Sequence, residues 1–277
     1  MNLAGVARFV PPILLDLVAR RRPSAKTYET YEAALADADS YEDPLLTELV
    51  AAKGKQFAEN LQSTNELDYS HLRILLALVG SPTSQPLRIL DFGGGSGTHY
   101  WVAKKLLGES VELDWRVVET PAMVEAVKRY ELANNELTFY SNVQDATAGV
   151  TFDAVYASSS IHYTPEPYKT LEELCNISSR RLIITRTPMA SRGEVLLQKS
   201  LLKDNGPGPV PPSFEKEIQN RTVSYPVTVL SFSRTKSALA ELQRNFIMVK
   251  EDEVRLSADS SLTRMYGLVV TTKTRHP

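Results

Sequence analysis

Two periodicities divide the chain. From about Tyr28 to Gly80 the apolar positions follow helical spacing. Residues 29–38 (ETYEAALADA) are rich in Ala and Glu, which favour helix. Asp43-Pro44 supplies an N-cap followed by proline at the first helical position and predicts a helix through about Leu61. Residues 66–79 (ELDYSHLRILLALV) predict another, closed by Gly80. The run 81–86 (SPTSQP) is turn chemistry and marks a boundary.

After Pro86 short apolar runs rich in branched and aromatic residues alternate with helical stretches. Strands are predicted at 87–92 (LRILDF), 111–118 (VELDWRVV), 137–140 (LTFY), 152–157 (FDAVYA) and 181–186 (RLIITR). Helices are predicted between them at 98–107, 121–133 and 166–176, with Thr120-Pro121 and Thr164-Pro165 as cap-then-proline starts. This alternation implies an α/β fold, a doubly wound parallel sheet with helices on both faces. The stretch 189–235, which contains GPGPVPP at 206–212, reads as one long irregular loop. Loops of that length in a compact domain are usually lids or binding loops, or else disordered. A helix at 236–245 and strands at 246–252 and 264–272 close the chain. The organisation expected is a helical cap over 1–80 and a core over 87–272, with a substrate loop at 189–235.

Composition narrows the function without naming it. In 277 residues, 31 Lys+Arg stand against 33 Asp+Glu, so the chain lacks the basic excess of a general nucleic-acid binder. The lone Cys175 excludes an internal disulfide and reads as a small buried apolar residue in a helix. With four histidines and no CxxC or HExxH spacing, no metal site is expected. No run reaches the roughly 18 apolar residues of a membrane span. In residues 1–22 (MNLAGVARFVPPILLDLVARRR) the charges follow the apolar stretch and Pro11-Pro12 interrupts it, unlike a signal peptide. A helix packed on the domain is expected there, with contact to an anionic membrane surface as the alternative. These features together predict a cytoplasmic protein.

The most informative segment is 87–100 (LRILDFGGGSGTHY), where a strand ends in Asp91 and a glycine loop opens a helix. Glycines permit positive φ and close approach of backbone to a ligand. The dinucleotide fingerprint GxGxxG fails in both registers, at Thr98 and at Tyr100, and GKS or GKT is absent. The Asp91 carboxylate at the strand end would repel a pyrophosphate and tolerate a cation.

The pattern Asp-x-Gly-x-Gly-x-Gly, carried by Asp91, Gly93, Gly95 and Gly97 with Gly94 inside it, resembles the first motif of class I S-adenosylmethionine-dependent methyltransferases. The resemblance implies a Rossmann-like, seven-stranded doubly wound fold and S-adenosyl-L-methionine as cofactor. It places the strand-end acid near the methionine part and the glycines along the ribose. Glu119 ends the strand WRVVE 22 residues after Gly97, where the family holds the ribose hydroxyls. Gln144 and Asp145, ahead of FDAVYA, match the contact to the adenine amino group. Ser158 at the end of that strand joins the expected cofactor set, and His99 either meets the methionine carboxylate or is an exposed first-turn residue. His162, in SSSIHY, is the candidate general base, since an imidazole of pKa about 6.5 suits that task. Its alternative is packing at the strand end or a bond to the cofactor. His71 and His276 read as structural or solvated. Tyr28, Tyr31 and Tyr41 are candidate cap aromatics, Tyr100 and Trp101 border the loop, and Arg186 ends a strand at the ligand face.

The segments LDFGGGSGTHY, DWRVVETPAM, TYETYEAALADADSYEDPLL and QNRTVSYP are similar to a bacterial family of methyltransferases associated with surface-polysaccharide biosynthesis. That similarity implies O-methylation of a carbohydrate or glycolipid acceptor and no nucleic-acid partner. A small-molecule O- or N-methyltransferase of secondary metabolism and a catalytically silent relative are the alternatives.

Overall fold

The computed structural model describes residues 26–39, 42–64, 66–78, 86–256 and 262–272. The amino-terminal segment 1–22, Tyr41, Gly80, most of the SPTSQP turn and His276 lie outside them. Among the described residues no helix is long and apolar enough to cross a membrane.

The helical region begins with strand β1 (Thr27–Tyr28) and helix α1 (Tyr31–Ala36), where the Thr30 hydroxyl accepts the Ala33 N–H. Helix α2 (Pro44–Ser63) starts where the sequence places it, with the Asp43 carboxylate accepting from the N–H groups of Leu45 and Leu46. The helix expected at 66–79 is instead a 3-10 helix, Tyr69–Ile74, and a single turn, α3 (Leu75–Leu78). Ile74, Ala77 and Leu78 are buried there while Leu75 and Leu76 stay exposed, so only a short face is held against the core.

The core follows the alternation read from sequence: β2 (Leu87–Phe92), α4 (Thr98–Leu107), β3 (Leu113–Val118), α5 (Pro121–Arg129), β4 (Leu137–Tyr140), α6 (Val143–Thr147), β5 (Ala154–Ser158), α7 (Pro167–Asn176) and β6 (Arg181–Ala190). After β7 (Glu194–Leu201) and β8 (Thr222–Ser231) come α8 (Phe232–Glu241), β9 (Arg244–Arg255) and β10 (Leu262–Thr272). The order β4-β3-β2-β5-β6-β10-β9 gives a Rossmann-like seven-stranded sheet. Its first five strands are parallel, and β10 runs antiparallel to both β6 and β9.

Successive side chains on a strand point to opposite faces. Leu90, Val155 and Ile184 therefore pack with Leu171, Leu174 and Leu239 of α7 and α8. Their neighbours Ile89, Tyr156 and Ile183 pack on the other face, with Val102 and Ala103 of α4 and Leu61 of α2. Covering both faces is why these strands read as nearly continuous apolar runs.

The expected loop at 189–235 is corrected by the structure. Within it strands β7 and β8 pair antiparallel across an irregular connection at 202–221, β1 adds to β7, and β8 joins the end of β6 through Met189 and Ala190. Pro226 falls in the middle of β8 opposite Leu197, and proline within a run argues against a strand. Strand β7 is no easier to read, because of EVLLQKSL only Leu196 is buried.

A β-bulge interrupts β6 on the β10 side. Thr187 pairs with Tyr266 and Ile184 with Leu268, so Thr185 and Arg186 together oppose Gly267. Arg186 takes the left-handed φ of 54°. Its backbone N–H donates to the Glu251 carboxylate at 2.8 Å, whose other oxygen accepts from Arg73 Nε at 2.8 Å. A Cβ at Gly267 would stand 3.0 Å from the same carboxylate, so a side chain opposite the bulge would press on the Glu251 contact.

Candidate active site

The glycine loop sits at the carboxyl ends of the parallel strands, where doubly wound sheets bind ligands. Its fold is set by positive φ at Gly93 (69°), Gly95 (59°) and Gly97 (80°). The Gly93 N–H donates to the Val118 carbonyl at 2.8 Å, and the Gly95 N–H to Glu119 Oε1 at 2.9 Å. Gly97, the N-cap of α4, serves packing: a Cβ there would lie 2.9 Å from Leu137 Cδ2 and 3.2 Å from Phe139. Helix α2 meets the loop from the other side, because a Cβ on Gly54 would overlap Ser96.

Two clefts, of about 620 and 660 Å³, meet at this loop. Gly93, Glu119, Thr120, Ser159, Tyr163 and Tyr225 line both. The first runs past His99, Tyr156 and Ser158 to Arg186, Gln198 and Ser200. The second runs past Phe92, Asn142 and Gln144 toward Tyr31 and Thr164. Both volumes suit a small-molecule site.

Glu119 stands at the junction. Its carboxylate accepts the N–H groups of Gly95 and Thr120, each at 2.9 Å. It is partly exposed at the cleft wall but enclosed by protein elsewhere, and that enclosure raises its carboxyl above the usual range. The two N–H bonds oppose the shift without cancelling it. Gln144 and Ser158 also reach the clefts, whereas Asp145, expected beside Gln144, does not line them. The Asp145 carboxylate accepts from Asn142 Nδ2 at 2.8 Å and belongs to the cap of α6. Asn142 itself lines the second cleft, a role the sequence did not signal.

Asp91 is fully buried behind the cleft wall. Its Oδ2 accepts from Trp115 Nε1 at 3.2 Å and faces His99 Nδ1 at 2.9 Å. In the tautomer with its proton on Nδ1 the ring donates to this carboxylate and turns Nε2 away from it. The His99 ring packs edge-on to Tyr156 at 5.0 Å. A Cβ on Gly94 would lie 2.5 Å from Asp91 Oδ2, so the loop closes directly over the carboxylate. Asp91 therefore reaches the first cleft only through His99, not as a direct contact.

His162 departs most from expectation. Ser159 adopts φ 54°, and the 3-10 helix Ile161–Tyr163 turns the imidazole into the protein, fully buried and outside both cleft linings. Neither ring nitrogen has a hydrogen-bond partner among the described residues, and the ring lies 4.1 Å from that of Tyr163. Burial, with the Arg186 charge nearby, lowers its pKa to about 3. A base must touch the proton it takes; this ring does not reach the cleft. Because the folded pKa is depressed, stability is full above about pH 6.5 and declines as pH falls toward 3. His162→Phe is expected to match the wild type at pH 7 and to lack this acid sensitivity, worth up to about 2 kcal/mol at pH 5. Urea unfolding at the two pH values measures the difference, and identical acid slopes would refute it.

The far wall of the first cleft is built by β7, β8 and the segment after β7. Tyr163 OH donates to Gln198 Oε1 at 2.9 Å, and Asn205 Nδ2 donates to Ser200 Oγ at 3.2 Å. The rings of Tyr163 and Tyr225 meet perpendicularly at 5.3 Å. Buried Lys53 of α2 donates to the carbonyls of Lys203 (2.9 Å) and Asn205 (2.7 Å), tying the helix to this wall. Sequence reading missed Gln198, Ser200 and Tyr225 because their strands did not announce themselves.

No family model matches the sequence, and no curated protein matches it. Solved structures resemble it at low identity. The CcbJ methyltransferase from Streptomyces caelestis is 10% identical, over 82% of this chain and 99% of that one, with a TM-score of 0.48. The N-terminal domain of EvdMO1, solved in the presence of S-adenosylhomocysteine and D-fucose, is 15% identical over 79% and 95%, at 0.44. The glycopeptide N-methyltransferase MtfA complexed with S-adenosylmethionine is 11% identical over 74% and 87%, at 0.45. Similarity at this level assigns neither an activity nor a substrate to the chain.

Proposed function

We propose that the chain is an S-adenosylmethionine-dependent methyltransferase that O-methylates a carbohydrate-like or other small acceptor. The observation that carries this reading is Glu119, a carboxylate at a strand end that braces the glycine loop and lines both clefts. A carboxylate is an acceptor for both hydroxyls of a ribose. The loop fits a ligand laid along it, since no atom lies within 4 Å of a Cβ built on Gly95. Asn142 and Gln144 offer side-chain amides to an adenine in the second cleft. His99, oriented by Asp91, stands on the first cleft for the methionine end.

When bound, the cofactor supplies a methyl group already activated on a sulfonium. The chain's own part is positioning: holding an acceptor oxygen in line is worth up to about 7–11 kcal/mol of barrier. The amides, hydroxyls and tyrosines of Gln198, Ser200, Asn205, Tyr163 and Tyr225 suit a polyhydroxylated acceptor. On this reading the cap over 1–80 and the β7–β8 region within 189–235 select the acceptor, and a place in surface-polysaccharide synthesis follows from the family resemblance. Calorimetry with S-adenosylmethionine and S-adenosylhomocysteine tests the proposal. One-to-one binding of both is expected; heat from neither ligand would overturn it, and binding of NAD instead would redirect it to hydride transfer.

A further inference from the structure

Arg186 is the charged side chain that this site leaves unexplained. The bulge in β6 gives its backbone a left-handed conformation, φ 54°, outside the usual range for a residue with a Cβ. Glu251 holds that conformation by accepting the Arg186 N–H at 2.8 Å. The side chain is exposed and lines the first cleft. Among the described residues no carboxylate stands within ion-pair distance of its guanidinium. The two carboxylates on the same cleft are occupied elsewhere: Glu119 braces the glycine loop, and Asp204 lies beside Lys53. Bulges next to active sites commonly re-aim a side chain. Here the result is an unpaired guanidinium, the residue type best matched in shape to a carboxylate or phosphate.

The position separates this cation from the glycine loop. Arg186 lies on β6, two strands from β2 in the sheet, which at about 4.8 Å per strand is roughly 10 Å. It lines the same cleft as Gln198 and Ser200 of β7, residues of the wall assigned above to the acceptor. The geometry points to an acceptor that carries an anionic group, a carboxylate or a phosphate, held by Arg186. This deepens the methyltransferase reading and rests on it, because the acceptor is taken to occupy the cleft beside the bound cofactor.

The test uses the full chain saturated with S-adenosylhomocysteine, whose own affinity is measured first. Failure to bind that ligand is the failure of the methyltransferase reading and is seen separately. Glucuronate, glucose 6-phosphate and glucose are then titrated and followed by amide NMR shifts. At least one of the two anionic sugars is expected to bind ten-fold or more tightly than glucose, and the pair tells carboxylate from phosphate. Arg186→Gln should abolish that preference while changing the S-adenosylhomocysteine affinity less than three-fold. Arg186→Gly should do the same with an equal or higher melting temperature, because glycine adopts the bulge conformation without strain. Equal affinity for all three sugars, including no measurable binding of any, overturns the inference. So does a preference that survives both substitutions, or a ten-fold loss of S-adenosylhomocysteine affinity in Arg186→Gln, which would make the arginine a cofactor contact.

Discussion

Glu119→Gln is expected to weaken S-adenosylhomocysteine binding by one to two powers of ten while the protein stays folded. Hydrogen bonds to a charged group contribute about 1.5–3 kcal/mol each when the partner would otherwise be left unpaired, and every 1.4 kcal/mol or so is a factor of ten in Kd. The glutamine keeps the shape but offers one oxygen where the carboxylate offers two, and both carboxylate oxygens already accept a backbone N–H. Its NH2 would face one of those donors. The pH dependence sharpens the test. Ionised Glu119 accepts hydroxyls, and burial has raised its pKa above 4.5, so wild-type affinity should fall on acidification sooner than for an ordinary carboxylate. Affinity is present above the raised pKa and lost as pH falls through it. The free protein follows the opposite sign: the folded state holds this proton more tightly than the unfolded one, so the contribution of Glu119 to stability drops as pH rises through the same window. Titration calorimetry from pH 8 downward, on the wild type and Glu119→Gln, reads the difference between the two curves. Parallel curves and equal affinities would remove Glu119 from the binding site.

The parts of this site that were legible in the sequence are those encoded by local chemistry. Helix α4 begins and ends where the spacing puts it, because the glycine loop and Gly108 bracket ten helix-compatible residues. Thr120 caps α5 ahead of Pro121 for the same local reason. Asp91 and Glu119 look equivalent in sequence, each an acid at a strand end. Only the fold distinguishes them, by bringing Trp115 and His99 to one carboxylate and the backbone of Gly95 and Thr120 to the other. The β7–β8 pair was hidden by Pro226 and by a surface that buries little of β7. His162 was misplaced because nothing in SSSIHY signals the positive φ of Ser159.

Part of the non-glycine strain falls where function is proposed. Among the described residues five non-glycine positions have positive φ, and two of them, Ser159 and Arg186, line the first cleft. Each such conformation costs on the order of 1–3 kcal/mol and persists only where the surroundings enforce it. At Arg186 the enforcing group is visible as Glu251, itself paired with Arg73 of the helical region. The helical region therefore braces the cleft at two points, through Arg73 and through Lys53.

A pair of alanine substitutions in the glycine loop should separate folding from binding. Gly93→Ala is expected to damage both. At φ 69° an alanine is strained by roughly 1–2 kcal/mol, and its Cβ would overlap the Cβ of Ser160. Overpacking of that kind adds typically about 1–3 kcal/mol. For a chain of this size each kcal/mol lowers Tm by about 2–4 °C, so a drop of several degrees should accompany a ten-fold or greater loss of S-adenosylhomocysteine affinity. Gly95→Ala carries the same kind of strain, with φ 59°, but nothing lies within 4 Å of the added Cβ. The methyl group would occupy open space beside the cleft that a ligand laid along the loop must share. Its melting temperature should therefore fall less than that of Gly93→Ala, while its affinity falls at least as far. Gly208→Ala, at φ 70° with open space and no place on either cleft, reports the strain alone and should leave affinity unchanged. Full affinity in Gly95→Ala would mean that the open side of the loop is not where the cofactor lies.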